Sequence, residues 1–218
     1  MKQKFIFLFL ILTVALNNFI SAITIDEVLK KMEEADSKTT DFSFSLTQEV
    51  LVTITQEKSS ISGTAIFKKP DLFKIEYNKP EKQIVICDGK KIFFYQKEFN
   101  QVMIEDWKTL SEKGNFPKGI YDFSSTISDL GKKYNISLLK EEDKYYIISL
   151  ILKEKQPQDM AIKLWVSKEK NMVEKTEIRT DTVVSTVSIS NIKINKGIKD
   201  SFFKFKIPKG ANIITSPF

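Results

Sequence analysis

Residues 42–54 change character at every second position. Phe42, Phe44, Leu46, Val50, Val52 and Ile54 are apolar, with Gln48 as the one polar member of the even series, and the odd positions are mostly Ser, Thr and Glu. A period of two puts one set on one side of an extended strand and the other set on the opposite side. A run this long demands a long strand with one apolar face. Further strands read at 61–67, 73–77, 84–87, 92–95, 101–105, 134–139, 145–152, 160–166, 173–180 and 183–189, some alternating and some apolar throughout. Phe203, Phe205 and Ile207 read as a last strand, stopped by Pro208. Asp88-Gly89 marks a tight turn between two of the runs. The pattern predicts about ten or eleven strands in one antiparallel meander.

Two regions follow a helical period instead. Thr24 and Glu27 have the spacing of a capping box, and Ile25, Val28, Leu29 and Met32 form one stripe, so a helix is predicted over 24–37. In the middle of the chain, 106–113 carries Trp107 and Leu110; beyond it Ile120, Phe123, Ile127 and Leu130 recur at helical spacing, with Gly131 as the stop. A sheet this long curls. Its polar face can meet water, but its apolar face is too wide to stay bare. The helices are the material at hand to cover it, so the expected fold is mainly β (α+β): a curved sheet with a helical lid.

The first 22 residues stand apart. Lys2 and Lys4 precede an apolar run over 5–16, and Ser21-Ala22 supplies small residues. This is the layout of a secretory signal peptide, with cleavage expected after Ala22 and a single domain over 23–218. Its apolar run is too short to span a bilayer comfortably. The sole cysteine, Cys87, lies within a strand, so there is no lipobox and no internal disulfide. Without the leader the net charge falls from +6 to +4, a mild value. No arginine-rich run is present, and basic and aromatic residues do not interleave on one face, so nucleic acid is not an expected partner.

Several chemistries lack their residues. There is no histidine, hence no Ser–His triad, no Cys–His pair and none of the commonest metal ligand. No glycine-rich phosphate loop appears. The carboxylate pairs Glu33-Glu34 and Glu141-Glu142 fall on a helix face and in a turn, where solvated surface charge is expected. No catalytic residue, cofactor or metal is expected.

"FSFSLTQEV", "GTAIFKKPDLFKIEYNKP", "IVICDGKKIFFYQKEFNQV" and "IKDSFFKFKIPKGANII" follow one another in this order. Together they resemble the periplasmic outer-membrane lipoprotein carrier family, LolA, over essentially the whole mature chain. The missing lipobox favours this soluble carrier over its membrane-anchored relative LolB, which shares the fold. The resemblance implies a half-open antiparallel β-barrel with a lid of helices. It also implies a monomer that takes triacylated lipoproteins from an ATP-driven extractor in the inner membrane, shields their acyl chains across the periplasm and gives them to an outer-membrane receptor.

The resemblance further implies an acyl-chain wall, for which Phe42, Phe44, Leu46, Phe73, Ile75, Tyr77, Ile84, Ile86, Phe93 and Tyr95 are the candidates. Which side of each strand faces inward stays open. Trp107, Leu110, Ile120, Phe123 and Ile127 are candidate lid contacts. The family's lid-latching arginine falls on Lys69, a point charge where the family has a planar fork. Two other readings remain: a carrier of free lipid or glycolipid, and an interaction or sensor domain whose apolar face docks a protein segment.

Overall fold

The computed structural model describes residues 23–112, 127–154 and 160–215. Helix α1 (Ile25–Ser37) opens it. Six strands follow: β1 (Asp41–Val52), β2 (Lys58–Lys68), β3 (Leu72–Lys79), β4 (Gln83–Asp88), β5 (Lys91–Gln96) and β6 (Gln101–Asp106). After the short helices α2 (Trp107–Glu112) and α3 (Ile127–Lys133) come β7 (Tyr134–Glu141), β8 (Tyr145–Leu152), β9 (Ala161–Ser167), β10 (Val173–Arg179) and β11 (Val183–Ile194). A 3-10 turn, Asp200–Phe203, and β12 (Asn212–Thr215) complete the described chain. Residues 1–22, where a leader is expected, and the lid candidates Ile120 and Phe123 lie outside the described residues.

All twelve strands form one sheet in the order β12-β6-β5-β4-β3-β2-β1-β11-β10-β9-β8-β7. Two meanders, β1–β6 and β7–β11, meet where β1 pairs with β11. Every pairing is antiparallel except that of β12 with β6, which is parallel. The sheet ends at β12 and β7 and does not close.

Local chemistry explains the main elements. Thr24 caps α1: its Oγ1 accepts from Glu27 N at 3.3 Å, and Glu27 Oε2 accepts from Thr24 N at 2.8 Å. The Asp88 carboxylate accepts from Lys90 N and Lys91 N, shaping the β4–β5 turn around Gly89, whose φ is +87°. Gly63 admits β3 at close range, since a Cβ there would sit 2.3 Å from the Glu76 carbonyl oxygen.

Three local expectations are corrected. Gly131 does not stop α3, which continues to Lys133. The segment containing Phe203, Phe205 and Ile207 is not a strand; the last strand is β12. Its alternation is real but serves another purpose, because Phe203 is fully buried against the sheet rather than paired within it. The polar face is also not polar throughout. Ile86, Phe93 and Val102 are buried on it, and the C-terminal segment covers them.

Two apolar clusters share the opposite, helix-bearing face. One lies under α1 and joins Val28 to Tyr146, Ile148, Leu150, Ile162, Leu164 and Val166. The other lies under α2 and joins Trp107 to residues of β1–β5 and to Ile189.

Candidate functional site

Strand register decides which side chains share the wall under α2. Directly opposed residues of an antiparallel pair point to the same face. Phe42 opposes Phe67, Phe44 opposes Ala65, and Leu46 opposes Gly63. Phe67 in turn opposes Phe73, Ala65 opposes Ile75, and Gly63 opposes Tyr77. The wall continues through Phe73↔Cys87 and Ile75↔Val85, then Cys87↔Ile92 and Val85↔Phe94. Six of the ten wall candidates are therefore brought together: Phe42, Phe44, Leu46, Phe73, Ile75 and Tyr77.

The other four are not. Ile84 opposes Tyr95, Ile86 opposes Phe93, and Ile86 also opposes Lys74, all on the far side of the sheet. Phe205 covers this group, with its ring centroid 5.3 Å from that of Phe93 and 5.8 Å from that of Tyr95. The physical reason is that β4 and β5 are apolar on both faces. An unbroken apolar run has no phase from which an inward side can be read.

Aromatic rings give the wall its shape. Phe42 stacks on Phe67 at 5.0 Å and Phe67 on Phe73 at 5.8 Å, so one row crosses β1, β2 and β3. Phe44 lies 5.8 Å from both Phe42 and Phe67. Trp107 closes the row edge-on against Phe73, at 5.2 Å and 68°. Offset and edge-on geometries of this kind are the favoured ones for aromatic pairs.

The wall is also uncharged where it carries ionisable groups. Burial pushes the Tyr77 phenol up to about 12. Burial likewise pushes the Cys87 thiol up to about 12, with Asp88 and Asp71 adding to the rise against a hydrogen bond from the Gly89 backbone. Both groups stay neutral at physiological pH, and a fully buried neutral thiol behaves as a small apolar group.

Helix α2 is anchored at its start. Trp107 N donates to the Lys90 carbonyl at 2.9 Å, and Asp106 Oδ1 accepts from Thr109 N at 2.9 Å. The backbone and side chain of Thr109 hold the Asp106 carboxyl below its ordinary value. Trp107 is buried and Leu110 half-buried against the wall. Ile127 opens α3.

Lys69 reaches a different helix. Its Nζ donates to the Asp36 carbonyl at 2.7 Å and pairs with Asp36 Oδ2 at 2.8 Å, at the carboxyl end of α1. A cation there also faces the negative end of the helix dipole.

Phe67, Ala65, Val85, Cys87, Ile92 and Phe94 belong to the wall although they were not among its sequence candidates. Phe67 carried a usable signal. It lies on an alternating run and stands across the Lys69–Pro70 turn from Phe73.

Glu141 and Glu142 do not act as a pair. Glu141 binds Lys168 at 2.7 Å and Glu142 binds Lys140 at 2.5 Å. Among the described residues, no helix is long and apolar enough to cross a membrane.

Comparison with known proteins agrees with this architecture. An uncharacterized protein of Methanocaldococcus jannaschii is 29% identical over 99% of the chain, which spans 61% of that relative's length. The outer-membrane lipoprotein carrier protein of Pseudomonas putida is 29% identical over 70% of the chain and 71% of its own length. An uncharacterized conserved protein from Thermus thermophilus superposes with a TM-score of 0.56, covering 88% of this chain and 98% of its own at 14% identity, a likeness of fold alone. Residues 37–206 match the family described as outer membrane lipoprotein carrier protein LolA, and the chain belongs to that family.

Proposed function

We propose that the chain is exported, loses its leader after Ala22, and works in the periplasm as a monomeric carrier. It shields the acyl chains of lipoproteins and ferries them from the inner to the outer membrane. Family membership and the carrier fold support the class of function. The observation that carries the reading is the uncharged aromatic wall, against which Trp107 of α2 packs edge-on.

The energetics suit such a task. Each methylene removed from water is worth about 0.8 kcal/mol, so one acyl chain of roughly sixteen carbons needs on the order of 10 kcal/mol of shelter. Phe42, Phe44, Leu46, Phe73, Ile75 and Tyr77, with Phe67 added, are the residues to supply it. Trp107 and Leu110 cover them when the carrier is empty and withdraw when cargo arrives, a shift between two states that cargo biases. Lys69 acts as the latch, and the element it holds is α1. The partners in this reading are an ATP-driven extractor at the inner membrane and a lipoprotein receptor at the outer one.

A hydrocarbon wall would accept the acyl chains of a free lipid equally well, and one experiment separates the two cargoes. Inner-membrane vesicles holding a triacylated lipoprotein and its extractor are incubated with ATP and the mature chain. A soluble one-to-one complex with lipoprotein is the expected result. Phospholipid or glycolipid bound without lipoprotein, seen by native mass spectrometry, would transfer the reading to free lipid. An empty protein would rule out a carrier.

A further inference from the structure

The sheet's outer face carries a second feature that acyl-chain shelter does not use. After β11 the chain crosses that face as a strap, from Phe202 over β3, through Phe205 over β5, to β12 beside β6. The strap is firmly seated. Asp41 accepts from Lys196 N at 2.8 Å and Gly197 N at 3.0 Å, Lys68 Nζ donates to the Ile198 carbonyl at 2.7 Å and pairs with Asp200 at 2.6 Å, and Phe203 is fully buried.

Its outward side has a different composition. Lys204, Lys206 and Lys209 are exposed and form no ion pair among the described residues. Over 195–215 there are five lysines against one acid, Asp200, which Lys68 already pairs. Among and beside them stand large apolar side chains that the fold leaves bare: Ile207 at 41% exposure and Ile213 at 49%. Phe99, 62% exposed, comes next to them because Asn212 N donates to the Asn100 carbonyl at 2.9 Å. Glu98 is the one carboxylate of that turn.

We propose that the outward side of this strap, with the Phe99 turn, is a docking site for an anionic bilayer surface. Lysines ringed around exposed Phe and Ile suit an interface where phosphates lie above hydrocarbon, each lysine contributing electrostatically and each apolar side chain entering the headgroup boundary. A protein partner would also accept apolar contacts. Three unpaired lysines on one strap favour the repeated negative charge of a lipid surface. The site lies on the opposite face from the cargo wall, so docking would leave the helices free to move.

The test is cosedimentation of residues 23–218, which hold every described element, with vesicles of phosphatidylcholine alone or mixed with phosphatidylglycerol. Binding is expected to the mixed vesicles only and to weaken with salt. The triple variant Lys204→Gln, Lys206→Gln, Lys209→Gln should bind about a hundredfold more weakly, at about fivefold per lysine. Ile213→Ser should weaken binding several-fold. A control triple elsewhere, Lys30→Gln, Lys144→Gln, Lys163→Gln, should bind like the parent. Equal binding to both vesicle types, no binding, or equal loss in both triples would overturn the proposal. Lipoprotein capture, read separately, should be unchanged in the strap variant. A chain that captures cargo without docking defeats only this proposal, and one that docks without capturing cargo defeats only the carrier reading.

Discussion

The two ends of the helix-bearing face are built from similar strands but covered very differently. Over β7–β10 lies α1, thirteen residues long, with a complete capping box, Val28 inserted among buried aliphatic residues and its carboxyl end tied down by Lys69. Over β1–β5 lies α2, six residues long, offering one tryptophan edge-on to a row of phenylalanines. The first arrangement is a core. The second, among the described residues, is a wall with a small cover. Among the described residues, α2 is placed by what Trp107 and Leu110 bury and by the hydrogen bonds of Trp107 N and Thr109 N. An open sheet can thus carry a capped helix over one end of a face and an aromatic wall at the other.

Cavity-forming substitutions test that contrast most strongly. Ile148 and Ile75 are both fully buried, one at each end. Changing either to Ala should cost about 3 kcal/mol in urea unfolding. Only Ile75→Ala should also weaken cargo retention; an equal effect of Ile148→Ala on retention would erase the distinction between core and wall.

The seam between the halves comes next. Asp41 begins β1, and its carboxylate collects backbone amides from the exit of β11. Burial opposes its charge, but the amides of Lys196, Gly197 and Ile198 and the Thr40 hydroxyl prevail and hold the carboxyl below its ordinary value. A depressed carboxyl stabilises the fold above its unfolded value and loses that contribution as pH falls through the folded one. Asp41→Asn should therefore lower stability at neutral pH by roughly 1–2 kcal/mol and flatten the decline below about pH 4. Unfolding midpoints across a pH series would measure both. A variant as acid-sensitive as the parent would remove Asp41 from the account.

A smaller effect is expected at the cover itself. Trp107→Ala should cost about 1–2 kcal/mol, low for an aromatic truncation, because the neighbouring rings of the wall can repack. It should speed amide exchange in Lys108–Glu112 while leaving Ile25–Ser37 protected. Exchange that rises equally in both helices would show that the two covers move as one.

The smallest change in stability is expected at Lys69. The pair with Asp36 is partly exposed, and such pairs contribute no more than about 1 kcal/mol. Lys69→Ala should barely shift the unfolding midpoint, yet raise exchange at the carboxyl end of α1. Unchanged exchange there would remove Lys69 as a latch.

Much of this was legible beforehand because alternation is a local property. Residues 42–46 and 73–77 each have one apolar side, and cross-strand register brings both sets to one face of the sheet. The capping box of α1 was equally plain, since Thr24 and Glu27 meet within one helical turn. The failures cluster where local pattern loses its meaning. In 84–87 and 92–95 both sides are apolar, so the pattern does not show that Ile84, Ile86, Phe93 and Tyr95 lie on the face opposite α2. Phe203 and Phe205 alternate as a strand would, yet they cover a sheet instead of joining one.

By itself, then, the sequence determined the strand count of the described residues to within one or two, the helix at the front, the absence of histidine and a family likeness spread over residues 42–214. Only the tertiary structure decided which apolar side of β4 and β5 meets α2, that the C-terminal segment covers the other side, and that Lys69 holds α1. The reason is that a strand's period specifies two faces but not their partners. Partners are chosen by cross-strand register and by segments more than a hundred residues away, as when Lys68 meets Asp200, and a one-residue change of register would exchange the two faces outright.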